Sequence, residues 1–505
     1  MKRLIRLFNI IVLIVPLSMA LLLSIVYFFG GWGHWFSNHT LDFYFGFPMK
    51  RRICTVVFYI ILLFLITTLK RLADKCVHYK EAVELFIICI TTLILRLMVV
   101  IPNREVLMPF SDFNRVWEMT HGNLEGHIDY YSLFPSYLNY TVLLKDYLAL
   151  FGDSFVNTLY LNVFFSCGTV VIVYLITKEV TDRKSVPFIS AALYALMPAN
   201  ILYCSVMTPD FITVFFDSLG VFFILMNAKR EWDIKKAILL LTAGFVIGVG
   251  SAYKAFGIII LIAFMMCAAT DSVLKKAERR KGLLVLLSVI LVFGGYRVSK
   301  RIIQIHSESE IGIEIDESRS LPHFLLIGLN TEGEGQIHIG TLSRRYYLTY
   351  LENGQNAELA KKTAYKLLRT DWQEHGREIP KLFVKKMIWA WQDDVTPLRF
   401  YNLALGRDQD ITYKGFSVAT MTQVFYLIIL TGSVLEMIVS WKNTRLGFEF
   451  LLLIIFGYFC LTLLSEAQSR YKCLILPFLC VASGMGLDSV LCLICGGIHE
   501  KTGTS

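Results

Sequence analysis

The chain has 505 residues, of which 55% are hydrophobic and 18% are charged, and its mean hydropathy is +0.57. Soluble globular proteins are about 45–50% apolar and about 25% charged, so this composition excludes an ordinary soluble enzyme and a disordered chain. The net charge of +9 does not indicate nucleic-acid binding, because the basic residues lie in short clusters between apolar runs and no nucleic-acid-binding motif is present. The long apolar runs predict an all-α polytopic membrane protein.

Twelve apolar segments, some only at the lower limit of length, are predicted to cross the membrane, since a bilayer core of about 30 Å needs about 20 helical residues. They form three groups, at 1–101, 154–299 and 417–505, separated by polar stretches at 102–153 and 300–416. The predicted spans are 7–30, 53–69, 82–101, 154–177, 186–200, 210–228, 237–252, 255–271, 282–299, 417–440, 446–464 and 473–495.

Lysine and arginine residues predict the orientation, because they concentrate in cytoplasmic loops. With the N-terminus in the cytoplasm, the inner segments carry most of these residues, and only the cluster Lys50–Arg52 faces outward against the rule. Both termini are then cytoplasmic. The stretch 102–153 becomes a large outer loop, and 300–416 becomes an extracytoplasmic α/β or mixed domain before the last three helices.

Two carboxylates at the predicted outer ends of helices are candidate catalytic groups. Asp112 lies about ten residues beyond the third span, and Asp210 lies where the sixth span begins. A carboxylate in such a place can act as a general base on an acceptor hydroxyl. Each one can equally be a helix cap, since Asp is a preferred residue at that position.

Two cations and three tyrosines complete the candidate site. Lys254 lies in a tight outer turn and Arg470 in the outer turn before the last span, where either could bind a phosphate. The alternative for Lys254 is snorkelling to lipid headgroups, and for Arg470 and Tyr471 an ordinary interfacial belt. The aromatic rings of Tyr471, Tyr131 and Tyr137 could stack on a sugar or pack at the membrane interface.

These motifs, in this order and with this sidedness, resemble the GT-C class of polytopic glycosyltransferases that use polyprenyl-phosphate sugars. The similarity is greatest to bacterial protein O-mannosyltransferases and lipid A aminoarabinose transferases. The residues that carry the resemblance are Pro109–Asp112, Phe134–Tyr137, Ala195–Pro198 running to Thr208–Asp210, Tyr253–Lys254, and Gln468–Tyr471 before Pro477.

The resemblance implies that a lipid-phosphate sugar enters from the outer leaflet and that an acceptor hydroxyl displaces the phosphate with inversion. It implies Asp112 as the base, Asp210 as the second acidic residue, and Lys254 and Arg470 as phosphate ligands. Many relatives carry two adjacent acids in the first loop, whereas here Ser111 precedes a single acid. The base role therefore stays open to Glu118, Glu125 and Asp129 as well. No cofactor and no metal are predicted.

The expected partners are a polyprenyl-phosphate sugar, a glycan, lipid or protein acceptor, and membrane lipids, but no nucleic acid. The expected location is a bacterial cell membrane. The alternatives are a flippase or transporter for lipid-linked sugars, which would need ionisable residues at mid-span, and a polysaccharide polymerase or ligase. The main ionisable residues within the predicted spans, Arg96, Asp217 and Arg297, lie toward the outer halves of their helices.

Overall fold

A computed structural model describes residues 14–25, 57, 60, 81–131, 133–274, 279–316, 320–331, 333–335, 352, 356–407, 418–440 and 446–494. Every regular element within these ranges is a helix. The predicted span 53–69 and the cluster Lys50–Arg52 fall outside the described residues, apart from residues 57 and 60.

The α-helices are numbered here in chain order. They are α1 (Ile14–Ile25), α2 (Glu81–Val100), α3 (Ser111–Thr120), α4 (Ile128–Tyr131), α5 (Ser136–Phe151), α6 (Phe155–Val180), α7 (Val186–Leu196), α8 (Pro198–Tyr203), α9 (Asp210–Ala228), α10 (Ile234–Tyr253), α11 (Gly257–Leu274), α12 (Arg279–Ile311), α13 (Ser320–Gly328), α14 (Ala357–His375), α15 (Ile379–Trp391), α16 (Thr396–Ala404), α17 (Val418–Ser440), α18 (Leu446–Leu464) and α19 (Leu476–Ile494).

Seven helices in the described part are long and apolar enough to cross a membrane: α2, α6, α9, α10, α12, α17 and α18. Shorter apolar helices are α1, α7, α11 and α19. Each predicted span other than 53–69 overlaps one of these helices, although 7–30 is described only over residues 14–25. The prediction of a helical chain with several candidate membrane spans is confirmed, whereas the number of twelve spans stays a prediction.

The predicted span at 186–200 is broken into two helices at Pro198. The helix α7 ends at Leu196, and Met197 is extended with ψ of 112° because a residue before proline is pushed out of the helical region. The side chain of Arg96, fully buried in α2, donates to the backbone oxygen of Ala195 at 3.1 Å and thus satisfies a carbonyl at the break. The short α8 then leads the chain toward Asp210.

Glycine residues allow the membrane helices to approach closely. A Cβ atom on Gly244 of α10 would lie 1.9 Å from the backbone oxygen of Val292 in α12, and one on Gly295 would lie 2.2 Å from that of Leu241. Helix pairs in membranes commonly use small residues in this way, because close backbone contact replaces the missing hydrophobic driving force. The α10–α12 pair is thus fixed by its backbone surfaces.

The regular elements in the described residues of the stretch 300–416 are all helices. The helix α12 continues from the membrane region to Ile311, twelve residues beyond the predicted end at residue 299. The helices α13 to α16 follow. The α/β composition predicted for this stretch is not found in its described residues, where Ala360 and Ala364 recur at helical spacing and pack on Leu326 of α13 in one small core.

The two ends of the bundle differ in character. At one end Lys178 pairs with Glu81 at 2.6 Å and Arg183 pairs with Asp488 at 3.1 Å. We call this the basic end. The other end carries the start of α9, the α10–α11 turn and the turn before α19, and we call it the site end.

Candidate functional site

Asp210 begins α9 at the site end and is almost fully buried, with 2% exposure. Its carboxylate accepts a hydrogen bond from the Tyr203 hydroxyl at 2.8 Å and lies 3.6 Å from the Cys473 sulfur. It also accepts a hydrogen bond from the ammonium group of Lys254. Pro209 precedes it and occupies the N-cap, so the helix start fixes the position of the carboxylate without a side-chain cap.

Lys254 follows the last residue of α10, and its side chain is one-quarter exposed. Its ammonium group joins Asp210 to Tyr471, because it pairs with the carboxylate and lies 4.4 Å from the centre of the Tyr471 ring. An ammonium group has three donors, and the described residues include one hydrogen-bond acceptor for them. Lys254 is thus an ion-paired cation that faces a partly open space.

Arg470 lies in a short 3-10 helix, Ser469–Leu474, which forms the turn before α19. Its guanidinium carbon is 4.8 Å from the Phe400 ring centre and 4.9 Å from that of Tyr471, so the planar group is held between two aromatic faces. One terminal nitrogen donates to the Tyr471 hydroxyl at 3.2 Å. The Nε atom is buried and has no hydrogen-bond partner in the described part of the chain.

Glu466 holds this turn in place, and sequence reasoning did not select it. One of its oxygens accepts from Tyr471 at 2.7 Å and the other accepts from Gln468 at 2.6 Å. Both bonds lie within five residues of sequence, so the spacing Glu466, Gln468, Tyr471 could have indicated a self-supporting turn. Arg470 itself forms no ion pair among the residues that the structure describes.

A buried Lys472–Asp394 pair also holds the same turn in place. The Lys472 ammonium donates to the backbone oxygens of Ala390 at 2.7 Å and Asp393 at 2.5 Å, and lies 3.7 Å from the Asp394 carboxylate. Burial raises the pKa of Asp394 to about 6, with a further increase from Asp393 and an opposing effect of Lys472. Burial lowers the pKa of Lys472. The cost of burying these charges is met by several short contacts, which fix the turn.

Asp112 lies in the first turn of α3 and is half-buried. Ser111 before it has a φ of +48°, which is uncommon for a residue other than glycine and turns the chain sharply into the helix. Within the described ranges the Asp112 carboxylate has no hydrogen bond and no ion pair. It is therefore a free carboxylate, in contrast to Asp210.

The α3 helix reaches the Arg470 turn through aromatic contacts. Phe113, next to Asp112, lies 5.9 Å from the Arg470 guanidinium carbon and 6.1 Å from the Phe400 ring. Phe110 also contacts Phe400, with the ring centres 5.4 Å apart. The same aromatic cluster thus supports the free carboxylate and the buried cation.

The hydroxyl of Tyr137 is influenced electrostatically by both acidic groups. Burial raises the pKa of its hydroxyl, an effect that Arg470 opposes and that Asp210 and Asp112 increase. Its electrostatic environment therefore includes three of the predicted site residues. Its ring lies 5.3 Å from that of Tyr130, whereas Tyr131 packs at the edge of the same aromatic cluster.

The structure thus brings Asp210, Lys254, Arg470, Tyr471 and Tyr137 together and places the helix of Asp112 against them. The other acids of the first loop differ from one another. Glu118 faces the same cleft as Asp112, Glu125 is exposed, and the side chain of Asp129 lies outside the described residues. The roles predicted for these residues stay predictions.

Asp112 lines an open cleft of about 550 Å³. Its walls come from the start of α3 and from the loop after it: Pro109, Phe110, Ser111, Asp112, Asn114, Arg115, Glu118 and His127. Among the described residues, no group of three or more His, Cys, Asp or Glu side chains is arranged to hold a metal ion.

Residues 140–295 match the model of a family described as dolichyl-phosphate-mannose-protein mannosyltransferase. The matched region includes Asp210 and Lys254. The predicted resemblance to polytopic glycosyltransferases of the GT-C class is confirmed. No curated protein matches the chain at a significant level.

Solved structures of the Archaeoglobus fulgidus oligosaccharyltransferase are similar in outline at low identity. The complex of AglB with an inhibitory peptide and a dolichol-phosphate is 13% identical, with a TM-score of 0.44 over 83% of this chain and 52% of that chain. The apo form is 14% identical, with a TM-score of 0.47 over 82% and 51%. The chain thus spans about half the length of these archaeal proteins.

Proposed function

We propose that this chain is an integral-membrane glycosyltransferase. It moves a sugar from a polyprenyl phosphate, such as undecaprenyl phosphate, to an extracytoplasmic acceptor: a cell-wall glycopolymer, a glycolipid or a protein. The observation that carries the proposal is that a free carboxylate, Asp112, and a buried cation, Arg470, both lie against one aromatic cluster. The family match over 140–295 supports the same reaction class.

The phosphate of the donor would bind at Arg470. A buried cation with no carboxylate partner is costly unless an anion joins it, and here the unpartnered Nε offers a donor. The guanidinium fork matches phosphate geometry, and the flanking rings of Phe400 and Tyr471 prevent it from turning away. Lys254 would add a second cation at the exposed side of Tyr471.

Asp112 would take the proton from the acceptor, because its carboxylate is free and borders an open cleft. Asp210 is fully engaged by Tyr203 and Lys254, so it suits a different task. It would hold Lys254 over Tyr471, and the Lys254 ammonium group would in turn neutralise the negative charge of Asp210. Tyr131, Tyr137 and Tyr471 supply the aromatic surface near the sugar.

The reaction is an inverting displacement at the anomeric carbon. The acceptor oxygen forms a bond to that carbon while the bond from the carbon to the phosphate oxygen breaks, and Asp112 receives the acceptor proton. Negative charge grows on the departing phosphate, where fixed cations in a dry site stabilise it strongly. No external oxidant or reductant is needed.

The topology follows from the same proposal. The basic end faces the cytoplasm and the site end faces outward, which agrees with the concentration of Lys and Arg in cytoplasmic loops. With twelve helices crossing a bacterial cell membrane, both termini then lie in the cytoplasm, and the helices of 300–416 lie on the outer surface as an extracytoplasmic domain.

Reconstitution tests the proposal. The full chain is placed in bilayers with a panel of undecaprenyl-phosphate sugars, and sugar release and acceptor products are read by mass spectrometry. The expected result is turnover of at least one donor that is lost in Asp112→Asn and Arg470→Gln. Movement of intact donor between leaflets without cleavage of the sugar–phosphate bond would instead show a flippase.

A further inference from the structure

The cleft beside Asp112 contains a second pair of polar groups that the proposed transfer step does not use. The Nε2 atom of His127 lies 2.5 Å from one oxygen of Glu118, and Asn114 donates to the other oxygen at 2.6 Å. The first contact is short enough to be a strong, charge-assisted hydrogen bond. His127 and Asn114 are the main cause of the lowered pKa of Glu118.

This pair is built from two elements. Glu118 lies in α3, about two turns after Asp112, and His127 ends the 3-10 turn Glu125–His127. The His127 side chain is only 14% exposed, whereas that of Glu118 is 40% exposed. Glu118 binds Nε2. The other imidazole nitrogen, Nδ1, has no hydrogen-bond partner among the described residues.

The cleft therefore offers hydrogen-bonding groups beyond the one carboxylate that takes a proton. Asp112, His127 and Arg115 all line it, together with the apolar surface of Pro109 and Phe110. Arg115 lies with its guanidinium carbon 5.2 Å from the Tyr130 ring centre, which holds it at the cleft wall. A ligand that contacted only Asp112 would leave the other polar groups of the cleft hydrogen-bonded to water.

We propose that the His127–Glu118 pair binds the acceptor, and that the acceptor is a glycan with neighbouring hydroxyls. One sugar hydroxyl would face Asp112, and the hydroxyl on the adjacent carbon would bond to Nδ1 of His127. A serine or threonine of a protein presents a single hydroxyl and would leave His127 without a partner. Sites built to bond a substrate hydroxyl discriminate strongly against ligands that lack it. This inference rests on the proposed function.

The experiment uses the full chain in bilayers with undecaprenyl-phosphate mannose as the donor probe. The acceptor probes are octyl hexopyranosides, their single-deoxy analogues and a threonine-containing peptide. For each protein, mass spectrometry gives the ratio of transfer to hydrolysis of the donor by water. His121→Ala is the matched control for His127→Ala, because His121 is also bound to an acid, Asp153 at 3.0 Å, but does not line the cleft.

The inference predicts transfer to a hexopyranoside, and a transfer-to-hydrolysis ratio that falls roughly 10–100-fold in His127→Ala, the loss of one strong hydrogen bond. One deoxy analogue should show a similar fall with the wild-type protein and no further fall with the variant. His121→Ala should keep the wild-type ratio.

Three results would overturn the inference. The first is transfer to the peptide but to no hexoside, and the second is hydrolysis of the donor with transfer to neither acceptor. The third is a transfer-to-hydrolysis ratio that falls further in His127→Ala with every deoxy analogue, so that the two losses add. A wild-type protein that neither hydrolyses nor transfers any donor of the undecaprenyl-phosphate sugar panel would contradict the proposed function itself.

Discussion

Arg470 offers the sharpest test of how the site would hold a leaving phosphate. Its guanidinium group lies between the Phe400 and Tyr471 rings, donates one hydrogen bond to Tyr471 and retains an unpartnered buried Nε. We expect Arg470→Gln to remove the charge and the fork while a polar side chain of moderate length remains. The turn should persist, since Glu466 and Lys472 hold it by their own contacts.

The size of the effect follows from the bonds that are lost. A hydrogen bond to a charged group contributes about 1.5–3 kcal/mol, and two such bonds to the phosphate give about 3–6 kcal/mol. Removal of a preorganised donor in an enzyme site typically slows the chemical step by about 10²–10³. We therefore expect kcat/KM for the donor to fall by at least about 10²-fold, with Arg470→Lys recovering only part of it, because lysine keeps the charge but not the fork.

The assay is release of sugar from a polyprenyl phosphate by protein in bilayers, with the thermal unfolding midpoint recorded for every variant. Arg104→Gln is the control, since Arg104 is 58% exposed and pairs only with its neighbour Glu105 among the described residues. A kcat/KM for Arg470→Gln within threefold of wild type, at unchanged stability, would refute the reasoning.

Three further predictions concern other groups. Asp112→Asn should lose about 10²–10⁴-fold in kcat, the range of general-base catalysis, while donor binding measured by titration stays near wild type; a large loss of binding would contradict a base role. Burial lowers the pKa of Lys386 to about 7, so the folded state binds fewer protons than the unfolded state between about pH 7 and 10.5. The free energy of unfolding should therefore rise with pH across that window, by at most about 1.4 kcal/mol per pH unit, and Lys386→Met should remove this contribution, as detergent unfolding curves would show. Gly244→Ala should destabilise the protein by about 1–3 kcal/mol, because its Cβ would lie 1.9 Å from the Val292 oxygen, whereas the matched Gly294→Ala meets nothing within 4 Å and should leave the unfolding midpoint equal or higher.

The membrane helices could be predicted because hydropathy alone determines them. The span predicted at 210–228 has the observed bounds, since Pro209 and the charged residues after Ala228 mark both ends in the sequence. Pro198 breaks the predicted span 186–200, and the Ala195 carbonyl at the break is satisfied by Arg96, which is distant in sequence. Local patterns cannot show such a partner.

The residues of the candidate site could be predicted only in part from the sequence. Ionisable residues are rare within apolar stretches, so Asp210, Lys254 and Arg470, where apolar runs begin or end, stand out by residue type and position. Their mutual arrangement was not accessible: the Asp210–Lys254 pair joins residues 44 apart, and the aromatic support of Arg470 comes from Phe400, 70 residues upstream. Glu118 was indicated only as an alternative base, and His127 gave no sequence signal, because it lies in no recognisable spacing.

The central claim is that Arg470 and Lys254 bind the donor phosphate on the side of the aromatic cluster that Asp112 faces. A structure of the full chain in a lipid bilayer with a bound polyprenyl phosphate tests it most directly. The account predicts phosphate oxygens within about 2.7–2.9 Å of the Arg470 guanidinium nitrogens, with the glycosidic side of the phosphate toward Asp112. A headgroup bound beyond the reach of Arg470, or on the far side of Phe400 from Asp112, would contradict it.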